Sequence, residues 1–175
     1  MSEYNNRDDV GESVDIDEEE DTLKDRYLTF RLGEEDYGIE IQYVTEIVGI
    51  LKISVVPDMP EFIRGVINLR GKVIPVMGVR ERFHMPHRDY DERTCVIVVR
   101  MGETSVGLLV DTVKEVIDIP AANVSEPPRV ARAESARYFR GIGRVGEEVK
   151  ILIDVDKLLH EEEQSLISSV AGSHS

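Results

Sequence analysis

The chain has 175 residues, a formal net charge of −14, one cysteine and 41% hydrophobic residues. That is enough for an ordinary buried core, but no run of about eighteen apolar residues is present to cross a membrane. One cysteine excludes an internal disulfide framework and fits a reducing compartment, and the acidic balance argues against nucleic acid, whose phosphates are met by clustered Lys and Arg.

Residues 1–25 hold eleven Asp or Glu against Arg7 and Lys24, which is −9 of the total charge. A segment so poor in apolar residues does not bury enough surface to offset its ordering entropy, so 1–24 is expected to be a disordered acidic tail. A docking tail for a basic partner is its functional alternative. The start, MSEYNNRDDV, has neither a basic region nor an apolar run, so no secretory signal is visible.

From about residue 25, Leu28, Phe30 and Leu32 alternate with Tyr27, Thr29 and Arg31, a strand signal. GEEDYG reads as a hairpin turn, and Ile39, Ile41, Val44, Ile47, Val48 and Ile50 continue as strand. A short strand is expected over 53–56, then a single helical turn over 61–64 ended by Gly65. VINL and KVIPVMGV give two strands hinged at Arg70 and Gly71, and Pro75 favours an edge position or a bulge. Residues 82–93 are polar and read as a linker. Strands are expected again over 95–101, 105–110, 112–119, 138–145 and 148–155, the last pair after a Pro- and Ala-rich loop. Val155, Leu158, Leu159, Leu166 and Val170 recur at helical spacing, predicting a C-terminal helix over 156–170, capped by Asp154 or Asp156 and packed on the body.

The chain repeats itself. YLTFRLGEEDYGIEIQYVTEIVGI at 27–50 aligns with VIVVRMGETSVGLLVDTVKEVIDI at 96–119, and FIRGVINLRGKVIPVMGVRERF from Phe62 aligns with YFRGIGRVGEEVKILIDVDKLL from Tyr138. Two similar subdomains are implied. Many short strands with glycine turns predict an all-β sandwich or barrel, and a unit of five strands closes most easily as a small barrel, which also hides its edges. The first barrel is expected over about 25–84 and the second over about 94–155.

Chemical motifs are sparse. Neither a phosphate-binding glycine loop nor a nucleophile elbow occurs. His84 and His87 lack further ligands for zinc, and Cys95, in an apolar run, reads as a buried inert thiol. Asp111 and Glu115 are spaced to face one another, yet Glu115 has a twin in Glu46 while Asp111 is matched by Gln42. No catalytic residue, metal or cofactor is expected, which leaves a binding module. What differs between the copies is the corner NLRG: Arg70 aligns with Gly146, Asn68 with Arg144, and Pro75 with Ile151. Arg70 either locks two strands by pairing with Glu46 or presents a recognition surface, and the two roles can coexist. Gly65, with its twin Gly141, points to backbone geometry.

These blocks, with FIRGVINLRGKVIPV the most specific among them, resemble the CheW family of chemotaxis coupling proteins over about 27–159. The resemblance implies two SH3-like barrels packed together and no enzymatic activity. It implies an adaptor in the cytoplasm, at receptor arrays, that joins the tips of chemoreceptors (methyl-accepting proteins) to the regulatory domain of a CheA-type histidine kinase. The positions matching the receptor-binding groove are Val44, Glu46, Gly65, Arg70 and Val116; it assigns no kinase-contacting residue. A scaffold for another chemosensory-like pathway and a small-molecule-binding barrel are the alternatives. One departure from the family pattern is Gly78, where an Asp is common; the second copy keeps Asp154 there.

Overall fold

The computed structural model of the protein describes residues 23–127 and 137–172. The acidic tail, but for its last two residues, lies outside them. Strands β1 (Arg26–Leu32) and β2 (Glu35–Glu40) form a hairpin, and β3 (Val44–Gly49) follows after one 3-10 turn over Ile41–Tyr43. The single strand expected from Ile39 to Ile50 is therefore two. Next come β4 (Ile63–Leu69), β5 (Lys72–Gly78) and the one-turn helix α1 (Val79–Arg82). The second copy supplies β6 (Cys95–Met101), β7 (Thr104–Val110), β8 (Thr112–Asp118), β9 (Val124–Ser125), β10 (Phe139–Val145), β11 (Glu148–Ile153) and helix α2 (Glu161–Gly172).

These strands form two sheets, ordered β8-β1-β2-β11-β10-β9 and β3-β6-β7-β5-β4. Each sheet takes the first hairpin of one copy and the remaining strands of the other. The hairpin β1–β2 is flanked by β8 and, in parallel, by β11; the hairpin β6–β7 is flanked by β3 and, in parallel, by β5. The expected cut at the linker, 25–84 against 94–155, is thus not how the strands divide. The two barrels are built by reciprocal exchange between the copies.

Burial explains the exchange. Strands β1 and β6 are buried on both faces, so water does not serve their backbone N–H and C=O groups and each takes a partner on both edges. Leu28, Phe30 and Leu32 from one sheet, with Ile97, Val99 and Met101 from the other, fill one large core that both sheets share. On the opposite faces, Tyr27, Ile119 and Leu152 fill a small core in one barrel, and Ile67, Val76, Val96 and Val98 fill one in the other.

Several local expectations change for identifiable reasons. The segment 61–64 is not a helical turn: β4 starts at Ile63 and Gly65 lies inside it, where its register with β5 shifts. Gly65 has φ +143°, and a Cβ there would meet the Ser54 carbonyl oxygen at 2.2 Å. Its twin Gly141 approaches the Ser125 carbonyl in the same way, at 2.5 Å. The strand expected over 53–56 is reduced to a single bridge between Ser54 and Val66. Pro75 sits in an internal strand, not at an edge. Its lack of an N–H is tolerated there because Val66, its partner in β4, uses both backbone groups on Ser54, and the parallel ladder with β7 begins only at Val76.

The C-terminal helix begins later than expected. Asp154 caps a 3-10 turn over Val155–Lys157 instead. The entry to α2 is closed by Glu163, whose carboxylate accepts from the His160 backbone N–H at 2.7 Å, a side chain reaching back three positions. Ile167 is the residue that α2 buries in the shared core, while Leu166 is exposed. Cys95 is half-buried, not buried as expected.

Candidate functional site

The NLRG corner is a two-residue hairpin turn between β4 and β5. Arg70 has φ +53° and Gly71 φ +85°, the pair of left-handed residues that suits the twist of a tight hairpin. The Asn68 side chain closes the turn by accepting from the Gly71 N–H at 2.8 Å. Both copy-specific polar residues of the corner thus have a place: Asn68 holds the turn and Arg70 stands at its tip. The Arg70 guanidinium donates to the Glu46 carboxylate across to β3. Its side chain is 70% exposed, so the pair stabilises the fold by under about 1 kcal/mol.

Glu46 and Arg70 line one groove of about 400 Å³ with Thr45, Lys72, Ile74, Arg100 and Glu103, at the mouth of the barrel built from β3 to β7. The other expected site residues lie elsewhere. Val44 is half-buried and packs on the shared core; the bulge between it and Glu46 turns Val48, further along β3, toward the small barrel core. Gly65 is buried under Ser54. Val116 is 47% exposed on the edge strand β8 of the other sheet. Ile47, its twin by the repeat, is likewise exposed on the edge strand β3.

Asp111 and Glu115 do not form a carboxylate pair. Glu115 is exposed, while Asp111 is buried under Arg80, which donates from Nε and Nη2 at 2.7 and 2.6 Å. The Gly33 N–H and Arg88 add further bonds at 2.8 and 3.1 Å. Burial alone would raise the Asp111 pKa, but the Arg80 guanidinium and these donors outweigh it and hold the carboxyl below its ordinary range. Through Arg88 the supposed linker is also tied to the second copy at Asp111.

A second cluster went unread in the sequence. Arg82 is only 6% exposed. It donates to the Leu158 carbonyl at 2.8 Å, binds both oxygens of Glu163, and lies over the rings of Phe62 and Tyr138. Its only signal was charge inside a polar run, which points to solvent. Gly78 also gains an explanation: Glu81 Oε2 would stand 2.5 Å from a Cβ at that position, so the Glu81 carboxylate occupies the space a side chain would need. The Gly78 N–H bonds the Phe62 carbonyl at 2.8 Å, as Asp154 does Tyr138 in the second copy, so the strand end keeps its pairing.

Among the described residues no cluster of side chains could hold a metal ion, and no helix is long and apolar enough to cross a membrane. Two exchanged barrels around a common core, with a charged groove at the mouth of one, define a class of doubled small β-barrels. The family of the CheW-like domain matches residues 26–163. Chemotaxis protein CheW of Klebsiella aerogenes is 40% identical over 154 residues, covering 88% of this chain and 93% of that protein. Protein FrzA of Myxococcus xanthus is 27% identical, covering 81% and 89%. The crystal structure of the scaffolding protein TtCheW from Thermoanaerobacter tengcongensis is similar with a TM-score of 0.73 and 34% identity, over 79% of this chain and 94% of that one. The chain belongs to the CheW-like domain family and is a scaffold protein of chemotaxis signalling.

Proposed function

We propose that this scaffold couples the cytoplasmic tips of chemoreceptors to a histidine kinase of the CheA type, in the cytoplasm and without catalysis. The reading rests on one observation above others: the corner that differs between the copies carries an exposed Arg70 in a left-handed turn, held against Glu46 at the rim of a groove. A receptor tip is a helical hairpin, and one helix laid along a groove with apolar walls and a charged rim gives a reversible contact. In this reading Glu46 and Arg70 form the rim, while Val44 and Val116, which lie apart from this groove, contribute to receptor contact from outside it. Gly65 acts indirectly, by admitting the Ser54 backbone that backs β4. The kinase's regulatory domain docks on other barrel surfaces.

Arg70→Gly is the discriminating variant. It removes the side chain while keeping a residue that adopts positive φ freely, as Gly146 does in the second copy (φ +62°). In a reconstitution with a receptor fragment and kinase, Arg70→Gly and Arg70→Ala should both abolish receptor control of kinase output. Full control by a correctly folded Arg70→Gly protein would refute the assignment.

A further inference from the structure

The groove beside Arg70 holds more positive charge than its ion pair uses. Glu46 answers Arg70, but the side chains of Lys72 and Arg100, which line the same concavity, have no hydrogen-bond or ion-pair partner among the described residues. Glu103 is the remaining carboxylate of the lining. The patch is therefore cationic on a chain whose residues 23–175 carry 25 acidic against 20 basic side chains. The densest supply of carboxylates belongs to the chain itself. Residues 8–21 contain Asp8, Asp9, Glu12, Asp15 and the run Asp17 to Asp21, with no base among them.

The acidic segment also enters the fold on the correct side. It leads into β1, whose Tyr27 pairs with Glu40. Five residues after Glu40 comes Thr45, on the groove wall, at most about 18 Å away along the chain. A linker of 22 residues spans about 25 Å on average, and more when it carries charges that repel one another. We infer that residues 8–21 dock as an acidic arm on Lys72 and Arg100, covering the Arg70 rim of the groove. Because the arm is tethered, it acts at a local concentration on the order of millimolar, without any partner protein. Resting on the function proposed above, its consequence is regulatory: a receptor tip must displace the arm, so salt and any basic partner of the arm tune the coupling.

Carbodiimide cross-linking of the dilute full-length chain tests the arm directly, since it joins only carboxylates and amines in contact. Cross-linked peptides should connect residues 8–21 to Lys72 within one chain, in several-fold excess over Lys52, Lys114 and Lys157. They should disappear in about 1 M salt, where the screening length falls to about 3 Å, and Arg100→Gln should lower their yield. Deleting residues 1–22 should raise the affinity for a receptor-tip fragment about three- to tenfold at low salt, and leave it unchanged at high salt. Cross-links spread evenly over the lysines, or formed only between chains, would overturn the arm whatever the receptor does. Strong cross-links to Lys72 with an unaltered receptor affinity would keep the arm and remove the Arg70 rim as the receptor surface.

Discussion

Two arginines show how burial decides what a charge does. Arg70 stands in solvent and pairs with one half-exposed carboxylate, so its removal leaves nothing buried without a partner. Arg70→Gly should therefore change stability by no more than about 1 kcal/mol, and thermal melting should place it near the parent protein. Arg82 is the opposite case. It is enclosed by two rings, a backbone carbonyl and Glu163. Arg82→Ala would strand the Leu158 carbonyl and a largely buried carboxylate, a loss of about 3–5 kcal/mol that a denaturant titration would read. If Arg82→Ala melted like the parent, the cluster would be incidental to the fold. The sequence invites the reverse ranking, because Arg70 sits in an alignment of copies and Arg82 in a polar stretch. Burial of a charged side chain depends on what packs over it, and here that is Tyr138 and α2, distant in sequence.

At the scale of elements, the twin glycines pin two segments that have little secondary structure of their own. Gly65 admits Ser54 against β4, and Gly141 admits Ser125 against β10. A methyl group at either position collides with a backbone carbonyl, which cannot move as a side-chain tip can. Gly65→Ala and Gly141→Ala should each destabilise by about 1–3 kcal/mol. Gly65→Ala should be the worse, since it adds the strain of φ +143°. Equal thermal shifts for both would show that the carbonyl approach alone matters. The pairing of Gly65 with Gly141 was legible in the repeat, and so was a demand on the backbone. The cause was not legible: a helical end and a carbonyl approach leave the same glycine in the sequence.

For the molecule as a whole, the exchange of hairpins ties the copies together. Neither 23–84 nor 94–172 contains a complete sheet, because β1 needs β8, β2 needs β11, and β6 needs β3. The two pieces expressed apart should lack the circular dichroism of the parent and regain it on mixing. Independent folding of either piece would contradict the pairing. The charges give a global signature as well. Asp111 is buried and Asp36 and Glu163 are partly so, which by itself raises a carboxyl pKa. Lys114, Lys150 and Arg31 around Asp36, Arg80 at Asp111 and Arg82 at Glu163 prevail and hold all three below their ordinary range. A carboxylate whose folded pKa is depressed contributes stability above its unfolded value, near 4, and loses it as pH falls toward the folded one. Stability should thus be flat with respect to these groups above about pH 5 and decline below about pH 4, as denaturant unfolding at a series of pH values would show. Asp111→Asn should flatten that decline.

The sequence by itself determined most of the strands, the duplication, the all-β class and the family, because each is written in local periodicity or in ordered motifs such as FIRGVINLRGKVIPV. It also singled out Glu46 and Arg70, the two expected site residues that the fold brings into one groove. Only the tertiary structure decided which strand pairs with which, that Asp111 and Arg82 are structural hubs, and that Val44, Gly65 and Val116 lie apart from that groove. Periodicity records which face of a strand is apolar, whereas edge pairing and the burial of charge depend on neighbours brought together from the opposite copy.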